Sequence, residues 1–163
     1  MVGPAISAAA VKSIQAQIDD ALAKGAIDAT PANPTFQTLP VHGSYIAPRL
    51  LINTDHSMAV MREETFGPVI PVCKVASDEE AIKLMNDSDY GLTASVWTKD
   101  IARGEEIIPV LDAGTVFVNR CDYPNPDLAW TGWKNSGLGC TLGPRGFDGF
   151  VKLKSFHVKQ VHG

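Results

Sequence analysis

The chain has 163 residues, 14 basic against 18 acidic side chains, a net charge of −4, and 45% hydrophobic with 20% charged residues. Such a length suits one domain that buries about two thirds of its unfolded surface, with the composition of an ordinary soluble globular protein. Lys and Arg scattered under a net negative charge leave no footprint for nucleic acid or anionic lipid, and no apolar run approaches a membrane span.

Near the start, Val11, Ile14, Ile18 and Leu22 recur at helical spacing, which predicts an amphipathic helix from about Ser7 to Lys24, stopped by Gly25. Pro31, Pro34, Pro40 and Gly43 then make residues 26–43 a loop. Residues 45–53 read as an extended segment broken at Pro48. Val69–Val75 suits a buried strand, although Pro71 removes one ladder donor, and Cys73 within it reads as an inert core residue. Ser77-Asp78-Glu79-Glu80 forms a capping box, with Ser77 accepting the Glu80 N–H and Glu80 reaching back, ahead of a helix carrying Ala81, Leu84 and Met85. Leu92–Thr98 is the next strand. Asp100 caps a further helix that Gly104 weakens and Pro109 kinks or shortens. Gly114–Asn119 is a third strand. Pro124, Pro126, Pro144 and six glycines make residues 120–149 a long loop passage, and 151–158 alternate well enough for a last strand.

Largely apolar strands separated by helices of about ten residues are the pattern of an α/β fold, β-α-β-α-β with a largely parallel sheet. Residues 1–150 form the main body of this reading and 151–163 a strand arm.

Three cysteines, Cys73, Cys121 and Cys140, show no C-x-x-C spacing, and four histidines form no H-E-x-x-H, so neither a disulfide framework, a zinc site nor metal catalysis is indicated. Met1-Val2-Gly3-Pro4 lacks the basic region of a secretory leader. An intracellular, cytoplasmic setting is the expectation. Cys121 beside Arg120, and Cys140, lie in loops, but neither has a neighbouring histidine to act as base.

Three segments are weighed for chemistry. In Glu63-Glu64-Thr65-Phe66-Gly67-Pro68, Glu64 could accept both hydroxyls of a ribose and Phe66 could pack on a flat ring, while the ordinary alternative is a solvated acidic stretch with a core phenylalanine. Trp130 and Trp133 in a glycine-bearing loop suit a ligand wall, or equally a loop closed by its own aromatics. The run Gly137-Leu138-Gly139-Cys140-Thr141-Leu142-Gly143 has G-x-G-x-x-x-G spacing and no strand before it, so it is not a dinucleotide fingerprint.

In order along the chain, Gly3-Pro4 with its helix, Glu63–Val69, Tyr90-Gly91-Leu92, Ala113–Asn119 and Lys134-Asn135-Ser136-Gly137 together resemble the C-terminal third of the NAD(P)-dependent aldehyde dehydrogenases. The resemblance implies an incomplete catalytic domain plus an oligomerisation arm. Glu64 matches the glutamate that holds the nicotinamide ribose and Phe66 the phenylalanine near the ring. Asp122, Tyr123, Pro124 and Trp130 match the substrate-pocket loop, and about Val151–Val161 an arm that extends a sheet in a neighbouring subunit, so a homo-oligomer is expected. The family's nucleophilic cysteine, general-base glutamate and dinucleotide-binding fold have no match here. The chain alone is therefore expected to lack dehydrogenase activity and to bind NAD or NADP weakly or not at all, with any activity needing an N-terminal half. Where many members carry Gly-Arg-Glu, this chain reads Gly139-Cys140-Thr141, so that glutamate's role is not carried over. Two other readings stay open: a stand-alone self-associating or partner-binding module, and an enzyme in which Cys121 or Cys140 has become the nucleophile.

Overall fold

A computed structural model describes residues 3–32, 39–40, 42–121 and 123–161. It divides into two compact units, residues 1–84 and 85–163.

In the first unit, helix α1 (Ala8–Ala23) starts at Ser7, whose hydroxyl oxygen accepts the Ala10 N–H at 3.1 Å. It stops at Gly25, whose φ of +101° lets the chain reverse. Strands β1 (Ile27–Asp28), β2 (Arg49–Ile52) and β3 (Val69–Val72) form one sheet, with β1 antiparallel and β3 parallel to β2. Arg49 begins its strand directly after Pro48, which supplies no ladder donor. The short helix α2 (Ala59–Arg62) lies between β2 and β3 in the chain. Ile14, Ile18 and Ala21 of α1 form the core with Ala26, Leu51, Met58, Val60 and Val69.

The strand expected over 69–75 ends at Val72, and its parallel neighbour is β2. Cys73 accordingly falls outside the ladder and is half-buried rather than a core residue. Ile70 is 62% exposed and Val72 also faces solvent. One face of this parallel pair is thus uncovered, whereas parallel sheets are ordinarily covered on both faces.

Helix α3 (Asp78–Asn86) begins at the predicted capping box. The Ser77 hydroxyl accepts the Glu80 N–H at 3.3 Å, but the Glu80 carboxylate reaches one residue further than expected, to the Ala76 N–H at 2.7 Å.

In the second unit, β4 (Tyr90–Gly91) is followed by β5 (Thr93–Val96), which pairs in parallel with β6 (Thr115–Val118) across helix α4 (Ile101–Ile107). Asp100 caps α4 by accepting the Arg103 N–H at 3.0 Å, and the helix tightens into a 3-10 turn over Ile108–Val110 at Pro109. Gly104 is there for packing: a Cβ would lie 3.1 Å from Val118 and 3.2 Å from Thr98. The supposed loop passage after 120 holds more order than its composition suggested. Strand β7 (Trp133–Lys134) pairs antiparallel with β4, Trp130 bridges Thr141, and Pro144–Phe150 form a 3-10 helix. Residues 151–161 are exposed throughout and join no ladder among the described residues.

Close backbone approach ties β6 to the tryptophan loop, because a Cβ on Gly114 would stand 1.7 Å from the Thr131 carbonyl oxygen. Gly114→Ala should therefore destabilise the protein by about 3 kcal/mol, read as a lowered midpoint in urea unfolding. An unchanged midpoint would mean the approach is not needed.

Candidate functional site

The Glu63–Pro68 segment is a loop fastened at both ends. At its start, the Glu63 N–H donates to the Ala59 carbonyl at 2.9 Å, closing α2. At its end, the Val69 N–H donates to Gly67 O at 2.8 Å, and the Pro68 carbonyl accepts the Arg49 N–H at 2.9 Å to open the β2–β3 ladder. Between these ties Phe66 has φ of +43° and is 85% exposed. A bulky residue held left-handed with its ring in water is an outlier of the kind that gathers at ligand sites. Glu64 is also exposed, and its carboxylate has no hydrogen-bond or ion-pair partner among the described residues.

Helix α1 supports this loop from below with both apolar and polar contacts. A Cβ on Gly67 would lie 2.6 Å from Cδ1 and 3.0 Å from Cγ1 of the buried Ile14, so any larger residue would force the Ile14 side chain to shift. One turn on, the Gln17 amide oxygen accepts the Thr65 hydroxyl at 2.7 Å, and its amide nitrogen donates to the Glu63 carboxylate at 3.5 Å. Asp20 accepts the Ala59 N–H at 2.9 Å, the cap that Met58 cannot give, and pairs with Lys24 at 2.8 Å. Lys24 in turn donates to the Ser57 carbonyl at 2.6 Å. The Lys24 bond, then the Ala59 N–H, hold the Asp20 carboxyl below the usual carboxylate range. Asp28, bonded first by the Thr30 hydroxyl, and Asp55, bonded first by Ser57, are lowered likewise.

The other predicted pocket residues lie in the second unit. Trp130 is half-buried and exchanges backbone hydrogen bonds with Thr141 at 2.6 and 2.9 Å. Tyr123 is exposed, with the Arg120 guanidinium 3.5 Å over its ring. Pro124 is exposed, and Asp122 lies outside the described residues. Lys134-Asn135-Ser136 has a structural explanation. Lys134 donates to the Asn86 carbonyl at 2.7 Å and pairs with Asp112 at 3.3 Å, the Asn135 N–H donates to Asp89 O, and the Ser136 hydroxyl accepts the Gly91 N–H. Cys121 is exposed, Cys140 half-buried, and both are free thiols. Among the described residues no cluster of His, Cys, Asp or Glu could hold a metal ion, and no helix is long and apolar enough to cross a membrane.

Sequence reasoning missed Gln17. Its signal is a polar residue inside an apolar helical stripe, between Ile14 and Ile18.

A loop of this sequence, set between parallel strands of a mixed α/β fold, is what defines the class of protein. The model of the aldehyde dehydrogenase family matches residues 1–156, and the chain belongs to that family. It is 33% identical to a 3,6-anhydro-alpha-L-galactose dehydrogenase of Streptomyces coelicolor over 98% of this chain and 32% of that protein. It is 32% identical to the lactaldehyde dehydrogenase of Escherichia coli, over 97% of this chain and 32% of that protein. A solved structure of a lactaldehyde dehydrogenase superposes with a TM-score of 0.86 at 32% identity, covering 97% of this chain and 32% of that one. A Mycobacterium tuberculosis aldehyde dehydrogenase complexed with NAD+ superposes with a TM-score of 0.81 at 32% identity, covering 92% and 30%. The chain thus spans about a third of the length of the relatives it matches.

The lowered carboxyls set a pH test. A depressed folded value means the stabilisation is complete above the ordinary aspartate range, about pH 4, and is lost as pH falls through the lower folded value. Asp20→Asn should lower Tm at pH 7, and the gap to the parent chain should narrow below about pH 4. A gap that is constant down to about pH 2.5 would remove Asp20 from the account.

Proposed function

We propose that this chain is the C-terminal, nicotinamide-side part of an aldehyde dehydrogenase catalytic domain, in an enzyme that oxidises an aldehyde to a carboxylic acid with NAD or NADP. The observation that carries the reading is the pair Glu64 and Phe66, an unpartnered carboxylate two residues from an exposed ring on a left-handed backbone. This donor set fits a nicotinamide riboside. The carboxylate can accept the two ribose hydroxyls and the ring can pack beside the pyridine.

Glu64 and Phe66 would hold the nicotinamide riboside, which would supply hydride-accepting chemistry there. The residues of this chain bind and orient it, and the nucleophilic cysteine and general-base glutamate belong to the part of the parent enzyme not matched here. Tyr123, Pro124 and Trp130, with Asp122, shape the aldehyde pocket. The uncovered Ile70 and Val72 on β3 support a body that packs against further polypeptide. The exposed Val151, Leu153, Phe156 and Val158 support an arm, residues 151–163, that pairs with a sheet of a neighbouring subunit. Alone, the chain is inactive and holds NAD weakly.

Aldehyde-dependent NADH formation tests this. The purified chain should give none, and mixing with the N-terminal remainder of a related aldehyde dehydrogenase should restore it. In the restored enzyme Glu64→Gln should raise the KM for NAD about tenfold, as expected for loss of a charged hydrogen bond. Turnover by the chain alone that vanishes when Cys121 or Cys140 is replaced would overturn the reading and move the chemistry to that thiol.

A further inference from the structure

We infer that Gln17 is the positioning residue of the Glu63–Pro68 loop: its amide fastens Thr65 and Glu63 to helix α1 so that Glu64 and Phe66 are presented together. The inference rests on the cofactor reading for what the loop presents, and on geometry alone for how it is held.

Gln17 is only 5% exposed and sits on the face of α1 that Ile14, Ile18 and Ala21 bury. A leucine there would satisfy the helix and the core. An amide instead brings two polar atoms that lose water on burial and must find partners inside. Both find them on this one loop, 46 and 48 residues away in sequence. The ties fall at every second position, and Glu63 is itself exposed. Glu63 and Thr65 bond to Gln17 and Gly67 lies against Ile14, while Glu64 and Phe66 between them face solvent. Tying Thr65 and Gly67 down to the helix fixes the backbone on either side of Phe66, which is left-handed and exposed.

The polar stripe continues in the same sense, because Gln17, Asp20 and Lys24 are spaced for one helical face. Asp20 and Lys24 bind Ala59 and Ser57, ahead of the loop. Only Gln17 of the three bonds to the loop itself. The Thr65 contact at 2.7 Å is the stronger of its two bonds and the Glu63 contact, at 3.5 Å, the weaker.

The test uses the whole chain with Gln17→Leu, which keeps the apolar burial of α1, Thr65→Val, which removes only the hydroxyl, and the double variant. Hydrogen exchange is followed at the Glu63 and Val69 amides, bonded to Ala59 O and Gly67 O, and at Ala21 within α1. Each single variant should speed exchange at the two loop amides about tenfold while Ala21 is unchanged, and the double variant should add nothing to Gln17→Leu. Unchanged loop exchange, a rise shared equally by Ala21, or additive effects would overturn the inference. Nicotinamide mononucleotide is titrated in parallel against the ring signals of Phe66. A response in the parent chain that weakens in Gln17→Leu supports both readings. No response in the parent chain, with the exchange result intact, sets aside nucleotide binding by the chain alone and leaves the positioning role standing.

Discussion

The packing of helix α1 against residues 57–67 is the contact on which the rest of the first unit depends. Ile14 and Ile18 bring the apolar face of the helix to the sheet, and Ile14 reaches Gly67 closely enough that an added Cβ would make its side chain shift. Gln17, Asp20 and Lys24 then add bonds to Glu63 and Thr65, Ala59, and Ser57 along the same face. Apolar burial supplies the attraction and has no direction of its own. The polar bonds supply the register, because a shift of the loop by one residue would leave the buried Gln17 amide without partners.

Strain in this molecule falls where backbone direction must change beside a tie. Asn53, Phe66, Asn119, Lys134 and Leu142 all have φ above +40°. At Asn119 the cause is on view: its side-chain amide accepts the Thr98 N–H at 2.8 Å and donates to the Thr98 carbonyl at 2.7 Å, joining the ends of β5 and β6. At Lys134 it is the bond to Asn86 and the ion pair with Asp112. Phe66 differs, since its side chain points into water and repays nothing within the chain.

The second unit is held by similar means with different residues. Asn86 donates to the Val110 carbonyl at 2.8 Å and accepts the Asp112 N–H at 2.8 Å, while Lys134 reaches both Asn86 and Asp112. The end of α3, the turn after α4 and strand β7 thereby meet at one polar knot. The tryptophan loop hangs from it, with Gly114 and Gly91 making room for the Thr131 and Asp112 carbonyls.

The sequence by itself determined the local elements, because their causes are local. Helical spacing and Ser7 define α1, Ser77 and Glu80 open α3, Asp100 opens α4, and Pro109 tightens its end. It also pointed to the family, through short segments whose order along the chain is specific to it. Tertiary structure decided the rest. That β3 takes β2 as its parallel neighbour, that β7 forms opposite β4, that Cys73 leaves the ladder and that Gln17 holds Thr65 are all contacts between residues far apart in sequence. Periodicity reports only which face of an element is apolar. Which surface covers that face, and which buried polar atom meets which loop, is set when the chain closes on itself and every desolvated donor and acceptor must be matched.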